Sequence, residues 1–343
     1  MGWKEDAELT QSGYYDEETG KPYEIERYEL DPTAEFQAPE NLLESNGIGT
    51  FSRKDILVIG GKAKNGKSFV VSIFVASVLG CSNFFTPIKK DATVFYFDTE
   101  QSVCDNQIIR SRVAKLMGWK PNRCYRRFRY FELRMVNKEE RFSYICEMIS
   151  KYKPLALIID GCTDLMTNPN DLEESQDLVL KLLDLCSHTD IALLTVVHEN
   201  KGKDDNALRG HIGAELLRKA VSVFHVTKDK DKGIFSVENT ECRRREIETW
   251  SFRIDEHGMP IPTETPDRKA EKETAKTKDL RLTFADVFSD GNPRLYTELK
   301  NDLESSCSIS VATAKRKIAD ATKLEIIRCE GGKYTLSPTP ETE

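Results

Sequence analysis

The chain has 343 residues, of which 39% are hydrophobic and 31% are charged, a composition typical of a globular protein with some tail or linker. No run of 18 apolar residues occurs and the N-terminus is acidic, so we expect neither a transmembrane helix nor a secretory signal. The net charge of −7 arises in residues 1–50, which carry 13 acidic residues against Lys4, Lys21 and Arg27, so it does not exclude a nucleic-acid partner.

Residues 1–45 are acidic and without periodicity, and we predict a flexible N-terminal segment. Between 46 and 257, short apolar runs alternate with helical patterns, as in a series of β-strand–helix–β-strand units. The strand candidates are 55–61, 93–97, 129–133, 155–159, 191–197 and 221–226, and the helix candidates are 67–80, 102–117, 139–152, 174–188 and 212–220. The predicted fold class is therefore α/β, with a mainly parallel sheet that antiparallel strands close at one edge after residue 226.

The C-terminal part of the chain has a different pattern. Residues 258–280 are rich in Pro, Thr, Lys and Glu, and we predict a linker. Residues 281–338 contain three short helical patterns and then two short strands around Gly331-Gly332. That order is typical of a winged helix-turn-helix domain, after which residues 339–343 form a tail.

Cysteine and histidine usage argues against two kinds of structural site. The nine cysteines are scattered, odd in number and without a CxxC pair, so neither a disulfide framework nor a cysteine-based zinc site is expected. The five histidines show no metal-ligand spacing. This usage favours a reducing, cytoplasmic location.

The sharpest motif in the chain is a phosphate-binding loop. The sequence Gly61-Lys62-Ala63-Lys64-Asn65-Gly66-Lys67-Ser68 matches the P-loop pattern G-x-x-x-x-G-K-[ST], between an apolar strand candidate and an apolar helix candidate. Glycines let successive N–H groups converge on phosphate oxygens, and the helix directs the positive end of its dipole at them. We predict that Lys67 contacts the β- and γ-phosphates, that Ser68 donates its hydroxyl to Mg²⁺, and that Phe69 completes the nucleotide site.

Two acidic residues close predicted strands. Asp160 follows Leu-Ala-Leu-Ile-Ile, and a P-loop enzyme needs such an aspartate at a strand end to hold Mg²⁺ through water. Glu100 ends the run Val-Phe-Tyr-Phe-Asp-Thr-Glu, where a carboxylate can activate the attacking water, with Asp98 as the next candidate base. A solvated strand-end acid is the alternative interpretation of Glu100.

Taken together, these features resemble the RecA-like P-loop ATPases, and more narrowly the plasmid RepA-type hexameric helicases and their relatives on mobile elements. The matching stretches, within about 55–226, are GGKAKNGKS, VFYFDTEQS with a helix containing IIRSRVAKLMGW, LALIIDG, and LLTVVHENKG with ALRGHIGAELLRKA. The resemblance implies a RecA-like fold with ATP and Mg²⁺ as cofactors. It further implies that Glu100 is the catalytic base, that Asp160 is the metal-binding aspartate, and that His198 or Asn200 senses the γ-phosphate.

The same resemblance implies a ring of identical subunits, expected to be a hexamer, with ATP at the subunit boundaries. A neighbouring subunit then supplies a cation to the transferring phosphoryl group. Arg209, Arg218 and Lys219 lie in the corresponding stretch. We expect Arg218 and Lys219 to serve as the catalytic cations because they precede the strand candidate at 221–226; a solvated helix face is the alternative.

Candidate DNA contacts occur in two places. In RecA-like rings the loops after the Asp160 and His198 strands face the channel; the first is acidic here, and the second contains Lys201 and Lys203 beside two aspartates. In the C-terminal part, the third predicted helix carries the basic residues that suit DNA. We expect Lys315 and Lys317 to contact phosphates and Arg316 or Thr313 to contact base edges. Protein docking is the alternative for this region.

Three functions fit the sequence. The first is an ATP-hydrolysing, DNA-acting motor or loader, a replication or mobilisation helicase of a plasmid or other mobile element. The alternative is an ATP-switched DNA-binding regulator or partition protein without unwinding activity. A metabolic P-loop kinase is a third possibility, which Glu100 and the absence of an obvious lid or acceptor pocket weaken. DNA and further copies of the chain are the expected partners, and no membrane partner is expected.

Overall fold

A computed structural model describes residues 38–89, 91–200, 202 and 207–338. Its strands are β1 (Asn41–Ser45), β2 (Ile48–Ser52), β3 (Ile56–Gly61), β4 (Thr86–Pro87), β5 (Val94–Asp98), β6 (Phe128–Glu132), β7 (Ala156–Asp160), β8 (Ala192–His198), β9 (Ser222–Asp229), β10 (Ile234–Cys242), β11 (Trp250–Ile254), β12 (Pro260–Thr263), β13 (Arg294–Leu295), β14 (Ile327–Glu330) and β15 (Lys333–Leu336). Its helices are α1 (Lys67–Leu79), α2 (Val103–Leu116), α3 (Lys138–Tyr152), α4 (Leu172–Thr189), α5 (Gly210–Lys219), α6 (Arg268–Val287), α7 (Tyr296–Cys307) and α8 (Val311–Lys323), with a 3₁₀ turn at Cys162–Leu165. No helix in these ranges has both the length and the apolar character needed to cross a membrane.

A nine-stranded sheet organises most of the chain, in the order β12-β11-β10-β9-β3-β8-β7-β5-β6. The six strands from β9 to β6 are parallel, and β10, β11 and β12 add an antiparallel edge. Every residue of β3, β5 and β7 is buried, as expected for apolar strands covered on both faces. The predicted fold class, α/β with a mainly parallel sheet and an antiparallel edge, is confirmed.

Helices cover both faces of this sheet. The first hydrophobic core contains α1 and α2, and eleven of the thirteen residues of α1 are buried. The second core lies on the other face, beneath α3, α4 and α5. Because parallel strands need crossover connections, these helices follow from the strand order itself.

Two boundaries differ from the prediction. Residues 41–45, which we assigned to the flexible segment 1–45, form β1, whose Leu42 and Leu43 are buried against the first core. The predicted linker 258–280 contains β12, which pairs with β11, and the first 13 residues of α6, of which Leu280 is buried in a third core. The polar composition of both stretches concealed these few apolar anchors. Residues 1–37 and the tail 339–343 lie outside the described residues.

The third hydrophobic core belongs to the C-terminal part of the chain. Helices α6, α7 and α8 pack around it, together with a small sheet of order β13-β15-β14. The turn between β14 and β15 has Gly331 and Gly332 at positive φ, 56° and 79°, which glycine adopts without strain. This part is built separately from the two cores that flank the large sheet.

Candidate active site

Four parallel strands bring the candidate residues to one edge of the sheet. β3 ends in the P-loop, β8 ends at His198, β7 ends at Asp160, and Glu100 lies two residues beyond β5. Because these strands are neighbours that run in the same direction, their carboxyl ends lie side by side. The order and direction of the strands in the sheet therefore determine which residues share the site.

The P-loop wraps the amino end of α1. Gly66 precedes this helix with φ of 90°, and Lys64 also has a positive φ, 64°. A Cβ at Gly66 would lie 2.6 Å from Phe235 Cδ1, and one at Gly61 would lie 2.9 Å from the Val226 carbonyl oxygen. Gly61 is thus required by packing against β9, and Gly66 by packing against β10 and by its backbone angle.

Lys67 is held inside the loop and is 8% exposed. Its Nζ donates to the carbonyl oxygens of Gly61 at 2.7 Å and Lys62 at 3.0 Å, and it lies 3.1 Å from His198 Nδ1. Burial lowers the pKa of Lys67, and the carboxylates of Asp160, Glu100 and Glu199 act in the opposite direction. The ammonium group is therefore already placed where phosphate oxygens would replace carbonyl oxygens.

His198 joins the P-loop lysine to Glu100. Because the Lys67 ammonium can only donate, the imidazole Nδ1 must accept, which leaves the proton of a neutral ring on Nε2. His198 Nε2 lies 3.4 Å from Glu100 Oε2, so the assigned tautomer donates to that carboxylate. This hydrogen bond is the main cause that lowers the pKa of Glu100, with burial acting against it. Glu100 is thereby kept ionised, as a base must be.

Asp160 lies deeper than Glu100 and is 5% exposed. Its Oδ2 accepts a 2.6 Å hydrogen bond from the Tyr96 hydroxyl. Burial, reinforced by the nearby Asp98 carboxylate, raises the pKa of Asp160 to about 7. A cation bound next to this carboxylate would stabilise its charged form.

The donor set fits Mg²⁺ coordinated mainly by the nucleotide and water. Ser68 and Asp160 offer a hydroxyl and a carboxylate, the oxygen ligands that Mg²⁺ takes, usually one or two from the protein. Within the described ranges, no group of three or more His, Cys, Asp or Glu side chains forms a dedicated metal cage. The residues present therefore suit a nucleotide-bound metal ion.

Asp98, the alternative base, has a different role in the structure. It is fully buried, and its Oδ1 accepts the backbone N–H groups of Glu100 at 3.0 Å and Gln101 at 2.7 Å, while Oδ2 accepts the Tyr130 hydroxyl at 3.0 Å. A carboxylate enclosed by these donors has no access to an attacking water. It instead fixes the turn that carries Glu100.

Residues 22–204, slightly more than half of the chain, match the AAA domain family. The chain belongs to this family. Among solved structures, it is similar to a KaiC-like protein from the hyperthermophilic archaeon Pyrococcus horikoshii OT3, with 16% sequence identity, a TM-score of 0.46, and coverage of 65% of this chain and 94% of that one. No curated protein sequence matches the chain. The protein is a nucleotide-hydrolysing P-loop ATPase with an α/β core.

One buried residue near the P-loop of this AAA domain was not predicted. Arg112 in α2 places its guanidinium carbon 3.7 Å from the centre of the Phe69 ring, and its Nη1 donates to the Ser68 carbonyl and the Ser72 hydroxyl, both at 3.3 Å. Burial lowers the pKa of Arg112 to about 10. Phe69, predicted at the nucleotide, thus has its ring covered by Arg112. The only sequence signal was an arginine among the apolar residues of a predicted helix.

A cavity of about 460 Å³ opens beside Glu100 and His198. Its walls include the 3₁₀ turn after β7 and the residue that precedes α5, and its charged lining residues are Glu100, Lys138, Arg141, Asp164 and Arg209. Arg209, one of the three cation candidates, therefore lies on the same side of the sheet as the P-loop. The cavity gives solvent a route to the candidate base.

Arg218 and Lys219 lie near the amino ends of the parallel strands, opposite the end that carries the P-loop. They immediately precede β9, which runs parallel to β3, whereas the P-loop follows β3. Six residues of strand separate the two edges, about 20 Å at the usual rise per residue. Arg218 forms an ion pair with the buried Glu215 in its own helix. Neither cation reaches the P-loop of its own chain.

The hairpin of β9 and β10 places a cation that was not predicted, Lys228, near the P-loop. Lys228 lies near the carboxyl end of β9, and its Nζ is 4.9 Å from the centre of the Phe235 ring, the ring that packs against Gly66. The run Lys-Asp-Lys-Asp-Lys at 228–232 was the sequence signal for a charged hairpin tip. Lys228 is thus close to the P-loop that Arg218 does not reach.

The predicted nucleic-acid contacts have different surroundings. Lys201 and Lys203 lie outside the described residues. Lys315 and Arg316 are exposed on α8, whereas Lys317 Nζ lies 3.4 Å from Asp279 Oδ2 in α6. The Thr313 hydroxyl is 3.0 Å from that of Ser310, the residue that caps α8. Asn200, the second sensor candidate, donates its backbone N–H to the Ala207 carbonyl oxygen at 3.0 Å.

Proposed function

We propose that the protein hydrolyses ATP with Mg²⁺ in order to act on DNA, as a replication or mobilisation helicase or loader of a plasmid or other mobile element. The observation that carries the hydrolytic part is the bridge from Lys67 through His198 to Glu100, 3.1 Å and 3.4 Å long, beside the buried Asp160. This series of contacts supports the roles of Lys67 as the phosphate-binding cation, His198 as a polar relay and Glu100 as the ionised base.

The residues divide the chemistry among them. Lys67 and the backbone N–H groups of the P-loop bind the phosphates, and a bound Mg²⁺ would offset the negative charge of the β- and γ-phosphate oxygens. Glu100 accepts the proton of the attacking water, and His198 orients Glu100 through its Nε2–H. The Tyr96 hydroxyl donates to Asp160 and orients its carboxylate towards the space between the P-loop and Glu100.

Catalysis is completed by a second subunit in this proposal. Arg218 and Lys219 are too far from their own P-loop to stabilise its transition state, so any catalytic role of these residues would be in a neighbour's site. Arg218→Ala protein should then bind ATP without hydrolysing it. Mixing it with Lys67→Ala protein should restore part of the turnover, because one complete site forms from two defective chains. The absence of rescue, together with a monomer in ATP, would point to a site completed within one chain, with Lys228 as the first candidate.

The DNA-binding part of the proposal concerns α8. In a winged helix-turn-helix this helix enters the major groove, and the hairpin of β14 and β15 contacts the backbone. Lys315 and Arg316 are exposed and suited to such contacts, while Lys317 is drawn towards Asp279. Lys315→Ala should weaken duplex binding about equally for all sequences and reduce the salt slope by about one unit.

The alternative is an ATP-switched DNA-binding regulator or partition protein. The acidic Asp164 in the turn after β7, where a channel-facing loop would begin, favours it over processive unwinding. Strand displacement on a forked duplex separates the two functions. ATP-dependent unwinding by the wild-type protein, absent in Lys67→Ala, supports the helicase. ATP hydrolysis and duplex binding without unwinding support the regulator.

A further inference from the structure

One segment of the sheet domain is strongly basic although the whole chain is acidic. Residues 106–131 contain eight basic residues and no acidic residue, in a chain with 50 basic and 57 acidic residues. The segment includes all but the first three residues of α2, the connection that follows, and all but the last residue of β6. Such an imbalance within 26 residues indicates a surface with its own partner.

The fold extends this segment into a continuous surface. β5, β6 and β7 are parallel, so the residues that precede them lie at the same edge of the sheet, opposite the P-loop. We call this surface the basic edge, and it consists of Lys120, Arg123, Arg126, Arg127, Arg129, Lys151 and Lys153. Asp91 before β5 and Glu147 in α3 offset only two of these seven charges.

Two cations of the basic edge, Arg127 and Arg129, are anchored without being neutralised. Arg127 donates to the carbonyl oxygens of Leu79 at 2.7 Å and Ala92 at 3.1 Å, and the guanidinium of Arg129 lies 4.2 Å from the centre of the Tyr152 ring. Lys120, Arg123 and Arg126 are exposed. No described carboxylate forms an ion pair with any of the seven. Carbonyl oxygens fix Arg127 and a ring fixes Arg129, and neither contact neutralises the positive charge.

Aromatic side chains lie among these cations. Tyr152 is 43% exposed, with Arg129 and Lys151 both near its ring. Trp119 and Tyr125 stack with their ring centres 4.2 Å apart in the turn that carries Lys120 and Arg123. Arginines that bind phosphates, interleaved with rings on which bases stack, match the chemistry of a single-stranded nucleic acid.

We propose that the basic edge is a second nucleic-acid-binding surface, which binds the backbone of a single strand at the end of the sheet opposite the ATP site. The surface depends neither on α8 nor on ATP hydrolysis, so it stands apart from the proposed function. Phosphates contact Lys120, Arg123 and Arg126, and a base stacks on the exposed part of Tyr152.

The test uses full-length protein and a fluorescently labelled 30-nucleotide oligo-dT, titrated by anisotropy at several salt concentrations without nucleotide. The test variant is Lys120→Ala/Arg123→Ala/Arg126→Ala. The matched control removes three exposed cations elsewhere and is Lys181→Ala/Lys230→Ala/Arg253→Ala. Because single strands lose about 0.7 of salt slope per phosphate contact, the test variant should flatten the slope by about two units and the control should not.

Two further sets of variants test base stacking on Tyr152 and independence from α8. Tyr152→Leu should lower oligo-dT affinity about fivefold or more with an unchanged salt slope, as loss of base stacking requires. In protein that also carries Lys315→Ala/Arg316→Ala, the basic-edge substitutions should flatten the salt slope by the same amount as in otherwise wild-type protein. That result separates this surface from α8. Equal slopes in the test and control variants overturn the proposal. Binding of polyglutamate, but not oligo-dT, through the same three residues would also overturn it, in favour of an acidic protein partner.

Discussion

Replacing Asp160 with asparagine should stabilise the nucleotide-free protein at neutral and alkaline pH. The carboxyl is 5% exposed, and its pKa is raised from its usual 3.8 to about 7 because burial and Asp98 disfavour the charge. The amide imitates the neutral acid and keeps an oxygen for the Tyr96 hydroxyl. The residue that we assign to Mg²⁺ should therefore weaken the fold of the empty protein.

The magnitude follows from proton linkage. The folded protein holds this proton up to about pH 7, whereas the unfolded chain releases it near pH 3.8. The contribution of Asp160 to the stability of the fold is therefore complete below pH 3.8, falls by about 1.4 kcal/mol for each pH unit above it, and stops falling near pH 7. Asp160→Asn does not suffer this loss. Its free energy of unfolding should exceed that of the wild type by about 1.5 kcal/mol at pH 5 and about 4 kcal/mol at pH 8.

Urea unfolding without nucleotide or Mg²⁺, followed by circular dichroism from pH 5 to pH 8, measures this difference directly. Asp177→Asn, on an exposed face of α4, serves as the control and should match the wild type at each pH. A stability difference that does not grow with pH, or an asparagine variant that is less stable at pH 8, would refute the reasoning. The same variant should lose the stabilisation that Mg²⁺ with ATP gives the wild type.

Three further substitutions test other parts of the site. Glu100→Gln should retain ATP binding and lose hydrolysis by about 10²-fold or more, as measured by phosphate release; wild-type rates would place the base elsewhere. Tyr96→Phe should lower the free energy of unfolding by about 1–3 kcal/mol, because a buried carboxyl oxygen of Asp160 loses its hydrogen-bond donor. It should also raise the Mg²⁺ concentration needed for half-maximal hydrolysis; an unchanged Mg²⁺ requirement would limit Tyr96 to packing. Gly66→Ala should abolish ATP binding in calorimetry, since its Cβ would meet Phe235, and retention of binding would show that the ring moves aside.

The sequence predicted the parts of the site that depend on strand ends. Apolar runs located β3, β5, β7 and β8, and parallel pairing then placed Gly66, Glu100, Asp160 and His198 at one edge. The partners of these residues were not predictable, because they come from side chains distant in sequence. The hydrogen bond between Tyr96 and Asp160 spans 64 residues, and that between His198 and Glu100 spans 98.

The failures of prediction have a common physical cause. Leu42, Leu43 and Leu280 are isolated apolar residues in polar segments, too few to create a periodicity, yet each is buried by a neighbouring element. Asp98 looked like a base because it ends a strand beside Glu100, and only its three hydrogen-bond donors show that it is enclosed. Local pattern identifies elements, whereas burial depends on what the rest of the chain places on top of them.

The packing of Phe235 against Gly66 bears on where the working ATPase ends. The family match stops at residue 204, but the ring that backs the P-loop lies beyond it, and Phe235 stacks on Phe252 with ring centres 4.9 Å apart. A fragment cut at residue 204 would contain the P-loop, Glu100, Asp160 and His198 and still lack the surface that shapes the loop. We therefore expect the antiparallel strands to be part of the smallest independently active unit.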